Sequence, residues 1–319
     1  MTGTASTYGE LGKAKLVFDL YLRRCVVPLF NPCVRNTLLD AQWHFTAKPD
    51  SAAADRVVVV KDIPDYLALE ANPAWEKFKH LEVRQYGGML IALNRYRDLE
   101  DYMNNQLSKR NRKNLRAKLN KLNRDYPISF ATYHGAIPRE VHRRLFNAFR
   151  QLLAQRFQQK GMANRDLERW SFIEDTSLRM IRSGDASLFV IFSANQPIAL
   201  TLNFHVGSMI YSHMQTYDIA YSSYNLGDIA MFKQLEWCYN NQIAAYDFLI
   251  GESYYKSKWA DFPYRYAYRI YYRKGDWFGM GKARLLQLFY QVKQFLRDRG
   301  IAGKIISRDR WRYKRQRND

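Results

Sequence analysis

Cysteine is almost missing from this chain. The 319 residues include only Cys25, Cys33 and Cys238, an odd number with no CxxC pair. This excludes a disulfide framework and any familiar zinc-ligand spacing, so no metal is expected. A reducing compartment fits that usage. Acidic residues are also few: 30 Asp and Glu stand against 50 Lys and Arg, for a formal net charge of +20. Such an excess points to an anionic partner, whether nucleic acid, a lipid surface, a polyphosphate group or an acidic carrier protein. Long apolar runs are missing as well. The best N-terminal stretch, from Leu16 to Val27, is interrupted by Asp19, Arg23 and Arg24 and closed by Pro28, whereas a membrane-spanning helix needs about 20 apolar residues. A basic segment followed by an unbroken apolar segment, the mark of a secretory signal, is absent too. A cytoplasmic location is expected, soluble or peripheral at the inner membrane face. No fixed-period repeat is present.

What the chain does have is enough apolar and aromatic residues, 47% and 15%, to bury a core of one large or two small domains. Short β-branched runs at 56–61 and 88–93 read as strands. A helical pattern runs from Asp98 to about Asp125, a strand from Ile128 to Tyr133, and two helices from Pro138 to about Lys160 and from Asn164 to Arg182. Strands at 187–193, 198–205 and 209–217 are separated by short turns and predict an antiparallel meander. A helix at 228–241, strands at 244–250 and 265–272, and an amphipathic helix at 279–299 follow. A basic tail closes the chain. Residues 1–55, with Pro28, Pro32 and Pro49, resist assignment.

The segment from Tyr211 to Lys256 is the most informative. Alternation places Tyr211, His213, Gln215 and Tyr217 on one face of a strand. That strand leads through Asn225-Leu226-Gly227-Asp228 into a helix with Ile229, Phe232, Leu235, Glu236 and Tyr239 at helical spacing. Free N–H groups and the positive end of the dipole make such a helix start a place for a phosphate, and Gly227 permits close approach.

Four pieces of sequence carry a likeness to a known family. They are Ser108-Lys-Arg-Asn-Arg112, Gln196-Pro-Ile-Ala199, Tyr217-Asp218 with Asn225-Leu226-Gly227, and Asp247-Phe248 with Gly251 leading to Tyr255-Lys256. In this order the chain resembles the GNAT superfamily of acyltransferases, in particular the two-unit branch related to Fem-type peptidyl transferases and cellulose-biosynthesis acetyltransferases. The likeness covers about 105–273 and, loosely, the first hundred residues. It implies an α/β (α+β) GNAT-like acyl-CoA N-acyltransferase fold, with a mixed, mostly antiparallel sheet flanked by helices, in two tandem units. The expected divisions are a degenerate GNAT-like unit at 1–104, the acyltransferase domain at 105–300 and the tail at 301–319. One departure stands out. The family's glycine-rich pyrophosphate loop is reduced here to the single Gly227.

The resemblance implies an acyl donor, acetyl-CoA or another acyl-CoA or an acyl carrier protein, and an amine acceptor on a cell-envelope or polysaccharide precursor. Asn225, Leu226, Gly227 and Asp228 are the expected donor-binding residues. Acyl transfer to an amine needs a proton acceptor and an acid for the leaving thiolate. His213, Asp218 and Glu252 are candidates for the first role. Tyr255, at the end of a strand, suits the second, with Lys256 beside the reacting group. The helix Lys109–Arg124 and the tail Arg308–Arg317 suit an anionic membrane surface or tRNA. Two alternatives stand beside this reading: an aminoacyl-tRNA-dependent Fem-type transferase, and a non-catalytic nucleic-acid or membrane-surface binder.

Overall fold

The computed structural model of the protein describes residues 14–47 and 56–300. The expected tail at 301–319, the loop at 51–55 and the reading of the extreme N-terminus lie outside the described residues. Contacts divide the described residues into two compact units, one built from those at 14–88 together with those at 263–300, the other from Met89–Phe262. Sequence reasoning expects a boundary at 104/105 instead. The observed divisions fall at 88/89, inside a strand, and at 262/263, one residue into another, where no linker composition marks them.

The first unit opens with β1 (Ala14–Lys15), the short helical turn α1 (Leu16–Phe18) and a π-helical turn to Arg23. β2 (Cys25–Val26), β3 (Phe30–Asn36), β4 (Ala41–His44) and β5 (Thr46–Ala47) follow, then β6 (Val57–Pro64), β7 (Leu67–Ala71) and the long β8 (Phe78–Ile91). The valine run of β6 is buried along nearly its whole length, as a strand covered on both faces must be. It pairs in parallel with β1, and β3 lies between β4 and β7 in a separate small sheet.

The second unit begins with α2 (Leu99–Gln106) and α3 (Lys109–Asp125). The helical pattern over 98–125 is therefore two helices, the second beginning where the basic helix is expected. Leu107 leaves helical geometry, and the Ser108 hydroxyl accepts the Asn111 N–H at 3.2 Å as the cap of α3. A serine competes for backbone donors and so starts a helix more readily than it continues one. Leu115 and Leu122 seat α3 in the core, at about 1.5–3 kcal/mol for each fully buried leucine. β9 (Ile128–Tyr133), α4 (Arg139–Gln159) and α5 (Trp170–Arg182) come next. α5 starts later than expected because Asn164 closes a turn on the Asp166 N–H, and a 3-10 turn fills 167–169.

β10 (Ala186–Ser193), β11 (Gln196–Val206) and β12 (Met209–Tyr217) form the expected meander, then α6 (Leu226–Asn240), β13 (Ala245–Ile250) and α7 (Tyr254–Trp259) complete the unit. Its strands run in the order β13-β12-β11-β10-β9. A core including Leu122, Phe189, Ile191, Ile229, Leu235, Phe248 and Trp259 binds α3 and α6 to this sheet.

β14 (Phe262–Arg273) and α8 (Trp277–Asp298) return the chain to the first unit. Its strands run β1-β6-β14-β8, and α8 packs Ala283 and Tyr290 against Val57, Val59, Val83 and Ile270. The mixed, mostly antiparallel sheet with flanking helices agrees with the fold class implied by the sequence.

Candidate active site

β12 and β13 are parallel, yet their shared register covers only Met209 with Ala245, Ile210 with Tyr246 and Tyr211 with Asp247. Beyond those three pairs the two strands share no ladder with each other. Both strands carry a local cause. On β13, the Asp247 carboxylate accepts the Leu249 N–H at 2.6 Å, Leu249 sits at φ 60° and Gly251 at φ 94°, so the strand end is turned out of ladder geometry. On β12, the register against β11 jumps from Asn203–Ser212 to Leu202–Met214, leaving His213 as the extra residue of a β-bulge.

That bulge corrects the expected alternation. Register places Tyr211 with Met214 and Thr216, and Ser212 with Gln215 and Tyr217. A strand read without the extra residue slips by one and exchanges faces. His213 is thus separated from the face of Gln215. Its ring meets Phe204 edge-on at 5.3 Å, and burial lowers its pKa, with Asp166 opposing and Arg169 assisting.

Ser212 instead joins a buried polar network. The Tyr246 hydroxyl lies 3.0 Å from Ser212 Oγ and 3.2 Å from Asn203 Oδ1, and the Gln234 amide of α6 bonds Asn203 and Thr201. Satisfied networks of this kind hold one arrangement of strands and helix rather than several.

Tyr255 stands where β12 and β13 part. Its hydroxyl donates to the Gly227 carbonyl at 3.1 Å, the Gln215 side chain bonds the same oxygen, and its ring meets Phe248 at 6.1 Å. Burial pushes the phenol pKa well up, helped by the Asp228 charge and opposed by Gln215 and Arg156. Tyr255 therefore keeps its proton across the physiological range. Arg156 of α4 reaches the same strand, donating to the Gln215 carbonyl at 3.3 Å and lying over the Tyr217 ring at 4.4 Å.

Lys256 follows on α7, which is capped by the Ser253 hydroxyl. Its ammonium donates to the Ile250 carbonyl at 2.7 Å and approaches that of Leu249 at 3.4 Å. Burial lowers its pKa to about 8, against the opposing pull of Asp247. An amine with that pKa exchanges protons near neutrality.

The start of α6 differs in detail from the expected phosphate cradle. Leu226 is buried in the core. The Asp228 carboxylate takes the Lys258 ammonium, the Trp259 indole N–H at 2.9 Å and the Asn225 amide. The Asn225 carbonyl accepts the N–H groups of Asp228 and Ile229 at 3.0 and 3.3 Å. The protein's own acidic side chain thus sits at the positive end of this helix. Gly227 keeps space: a Cβ there would meet the Tyr255 ring at 3.7 Å, an ordinary contact.

The remaining candidates are scattered. Asp218 caps the 3-10 turn at 219–224 by accepting the Ala220 N–H, and Glu252 is exposed between β13 and α7. Of the expected site residues, Tyr255 bonds Gly227, which Asp228 follows directly, while Lys256, next to Tyr255 on α7, bonds the end of β13 instead. His213, Asp218 and Glu252 take part in none of these bonds. Gln215, Arg156, Lys258 and Trp259 are the additions. Lys258 and Trp259 come one residue after Tyr255-Lys256 in sequence, but nothing local says that they turn back onto Asp228. Among the described residues no group of three or more His, Cys, Asp or Glu side chains is arranged to hold a metal ion.

α3, expected as a cationic contact surface, uses much of its charge on its own fold. Arg112 donates to the carbonyls of Met103, Asn104 and Leu107, Lys118 to that of Ser223, and Lys121 lies over the Tyr224 ring. Lys109, Arg110, Lys113 and Arg116 remain exposed. No helix among the described residues is long and apolar enough to cross a membrane.

Residues 109–257 match the family described as acetyltransferase (GNAT) domain. No curated protein matches the chain in sequence. Among solved structures, the chain is similar to FemX at 12% identity and TM-score 0.49, covering 74% of this chain and 75% of that one. It is similar to a conserved protein of unknown function from Bacteroides thetaiotaomicron VPI-5482 at 14% identity and TM-score 0.43, over 67% and 69% of the two chains. L-PGS from Bacillus licheniformis shares 13% identity at TM-score 0.42, over 77% and 73%.

Proposed function

We propose that the GNAT acetyltransferase domain of this acyltransferase, residues 109–257, moves an acyl group from a CoA or acyl-carrier thioester to an amine, using the divergence of β12 and β13 as the donor site. The observation that carries this reading is Tyr255, a phenol kept protonated by burial and held between Gln215 and the Gly227 carbonyl.

The strand edges beyond Tyr211 and Asp247 lack a shared ladder, which suits an extended pantetheine chain whose amides bond like a strand. The acceptor nitrogen attacks the thioester carbonyl carbon, the C–S bond breaks, and the thiolate takes the Tyr255 proton. Lys256 in its neutral form accepts the proton lost by the acceptor nitrogen. Water then restores both groups. The donor phosphate contacts backbone N–H groups at the start of α6, with Gly227 supplying close approach, because the Leu226 and Asp228 side chains face the protein. Sequence resemblance supports an acceptor amine on a cell-envelope or polysaccharide precursor.

Calorimetric titration of the full chain with acetyl-CoA, a long-chain acyl-CoA and acyl carrier protein tests the donor. Saturable binding of one of them, with thiol release on adding an amine, is expected. No binding by any of the three overturns the reading. Binding of aminoacyl-tRNA alone would select the tRNA-dependent alternative.

A further inference from the structure

α8 carries two apolar faces, and among the described residues only one is packed against the fold. Gly279, Ala283, Tyr290 and Gln294 are buried and, at about 100° per residue, fall on one side of the helix. Trp277, Phe278, Leu285, Leu288, Phe289 and Phe295 fall on the other. Phe278 is 81% exposed, Trp277 78% and Leu285 71%. At the same spacing these six cover a stripe about 120° wide. A soluble surface tolerates scattered apolar residues, but a continuous aromatic and aliphatic stripe of this length marks a binding face.

The charges around the stripe say what covers it. Lys282 and Arg284, both exposed, project from its two edges, and the Arg299 guanidinium lies 4.0 Å from the centre of the Phe295 ring. Asp298 is the only acidic residue on the helix. In a two-fold pairing with a second copy, the same cationic edges would face each other, with a net charge of +20 per chain adding repulsion. An anionic bilayer instead accepts both parts. The apolar side chains enter the headgroup and acyl boundary, and the long basic side chains reach lipid phosphates while their stems stay among apolar groups. We infer that α8 is an in-plane membrane anchor that seats this protein on an anionic phospholipid surface through the Trp277–Phe295 stripe.

This inference is independent of the acyl-transfer chemistry, and its test reads binding alone. Full-length protein is sedimented with vesicles of phosphatidylcholine, and with vesicles containing equal parts phosphatidylglycerol and phosphatidylcholine. Wild type is expected to pellet with the phosphatidylglycerol vesicles and to stay largely in solution with phosphatidylcholine alone. The Leu285→Ser/Phe289→Ser variant is expected to bind at least about tenfold more weakly, with an unchanged melting temperature because both positions are exposed. A charge-reversed Lys282→Glu/Arg284→Glu variant provides an independent route, keeping the stripe and losing phosphatidylglycerol preference. Wild type that remains in solution with both vesicles overturns the inference. So does a serine variant that binds like wild type, since basic residues elsewhere would then account for the attraction. A dimer that becomes monomeric in the serine variant, with vesicle binding unaffected, assigns the stripe to a second copy instead.

Discussion

Lys258 and Asp228 form an ion pair from which water is nearly shut out, their side chains only 12% and 7% exposed. The same carboxylate accepts the Trp259 indole N–H and the Asn225 amide, so this one acidic group ties the short helix α7 to the start of α6. Removing it leaves a buried ammonium and a buried indole N–H without their acceptor. Asp228→Ala is expected to destabilise the second unit by about 3–5 kcal/mol, measured by urea denaturation. Asp228→Asn, which retains an acceptor for Trp259, should cost visibly less. Equal losses in the two variants would mean that the missing charge opposite Lys258, and not the acceptor for Trp259, accounts for the effect.

Tyr255 makes a cleaner test of chemistry than of stability. Tyr255→Phe keeps the ring against Phe248 and loses only the hydroxyl, so the fold should lose no more than about 1 kcal/mol. Turnover should fall about a hundredfold, within the range expected for loss of a general acid, with donor affinity by titration unchanged. Wild-type turnover in Tyr255→Phe would remove the phenol from the mechanism.

Lys256 sets a pH dependence. Burial lowers it from 10.5 to about 8, so kcat/KM should rise with pH through about 8. Lys256→Met should lose that rise along with most of the activity. The stability effect has the same sign. Between pH 8 and 10.5 the folded protein releases this proton while the unfolded chain holds it, so folding becomes more favourable as pH rises, and the contribution is lost as pH falls through 8. Comparing urea midpoints of wild type and Lys256→Met across that window isolates the contribution, and parallel curves would contradict it.

His142 gives the acid limb. Its ring is stacked on Phe146 at 4.2 Å, with Nε2 at 3.0 Å from the Ser177 hydroxyl. Burial, with help from Arg182 and against Asp175, lowers its pKa from 6.5 to about 4. Its stabilising contribution is complete above pH 6.5 and declines as pH falls toward and through 4, where protonation in the buried site becomes unavoidable. Wild type should therefore lose stability over that range faster than His142→Gln. An unchanged difference between the two would exclude the linkage.

Much of the second unit is legible in its sequence. Alternation marks the meander of β10, β11 and β12, and apolar residues at helical spacing mark α4 and α6, because each depends on neighbours a few residues apart. Ser108 was equally readable as a cap, yet the continuous cationic pattern from Lys109 onward obscures the break before it. The site is less legible. Tyr255 and Lys256 are visible by their place after a strand, whereas Gln215 is misplaced by a strict two-residue period that His213 interrupts.

The amino-acid sequence by itself determined the element types, the fold class, the cationic surplus and the stretch from Gly227 to Lys256 that carries the candidate chemistry, since periodicity, turns and net charge are properties of residues close along the chain. Tertiary structure alone decided that His213 is a bulge and not a face-mate of Gln215, that Asp228 meets Lys258 across thirty residues, and that Tyr255 bridges β12 and α6. It also left the second face of α8 exposed among the described residues. The physical reason is shared: strand register, burial and the pKa shifts that follow depend on which distant segments exclude water together.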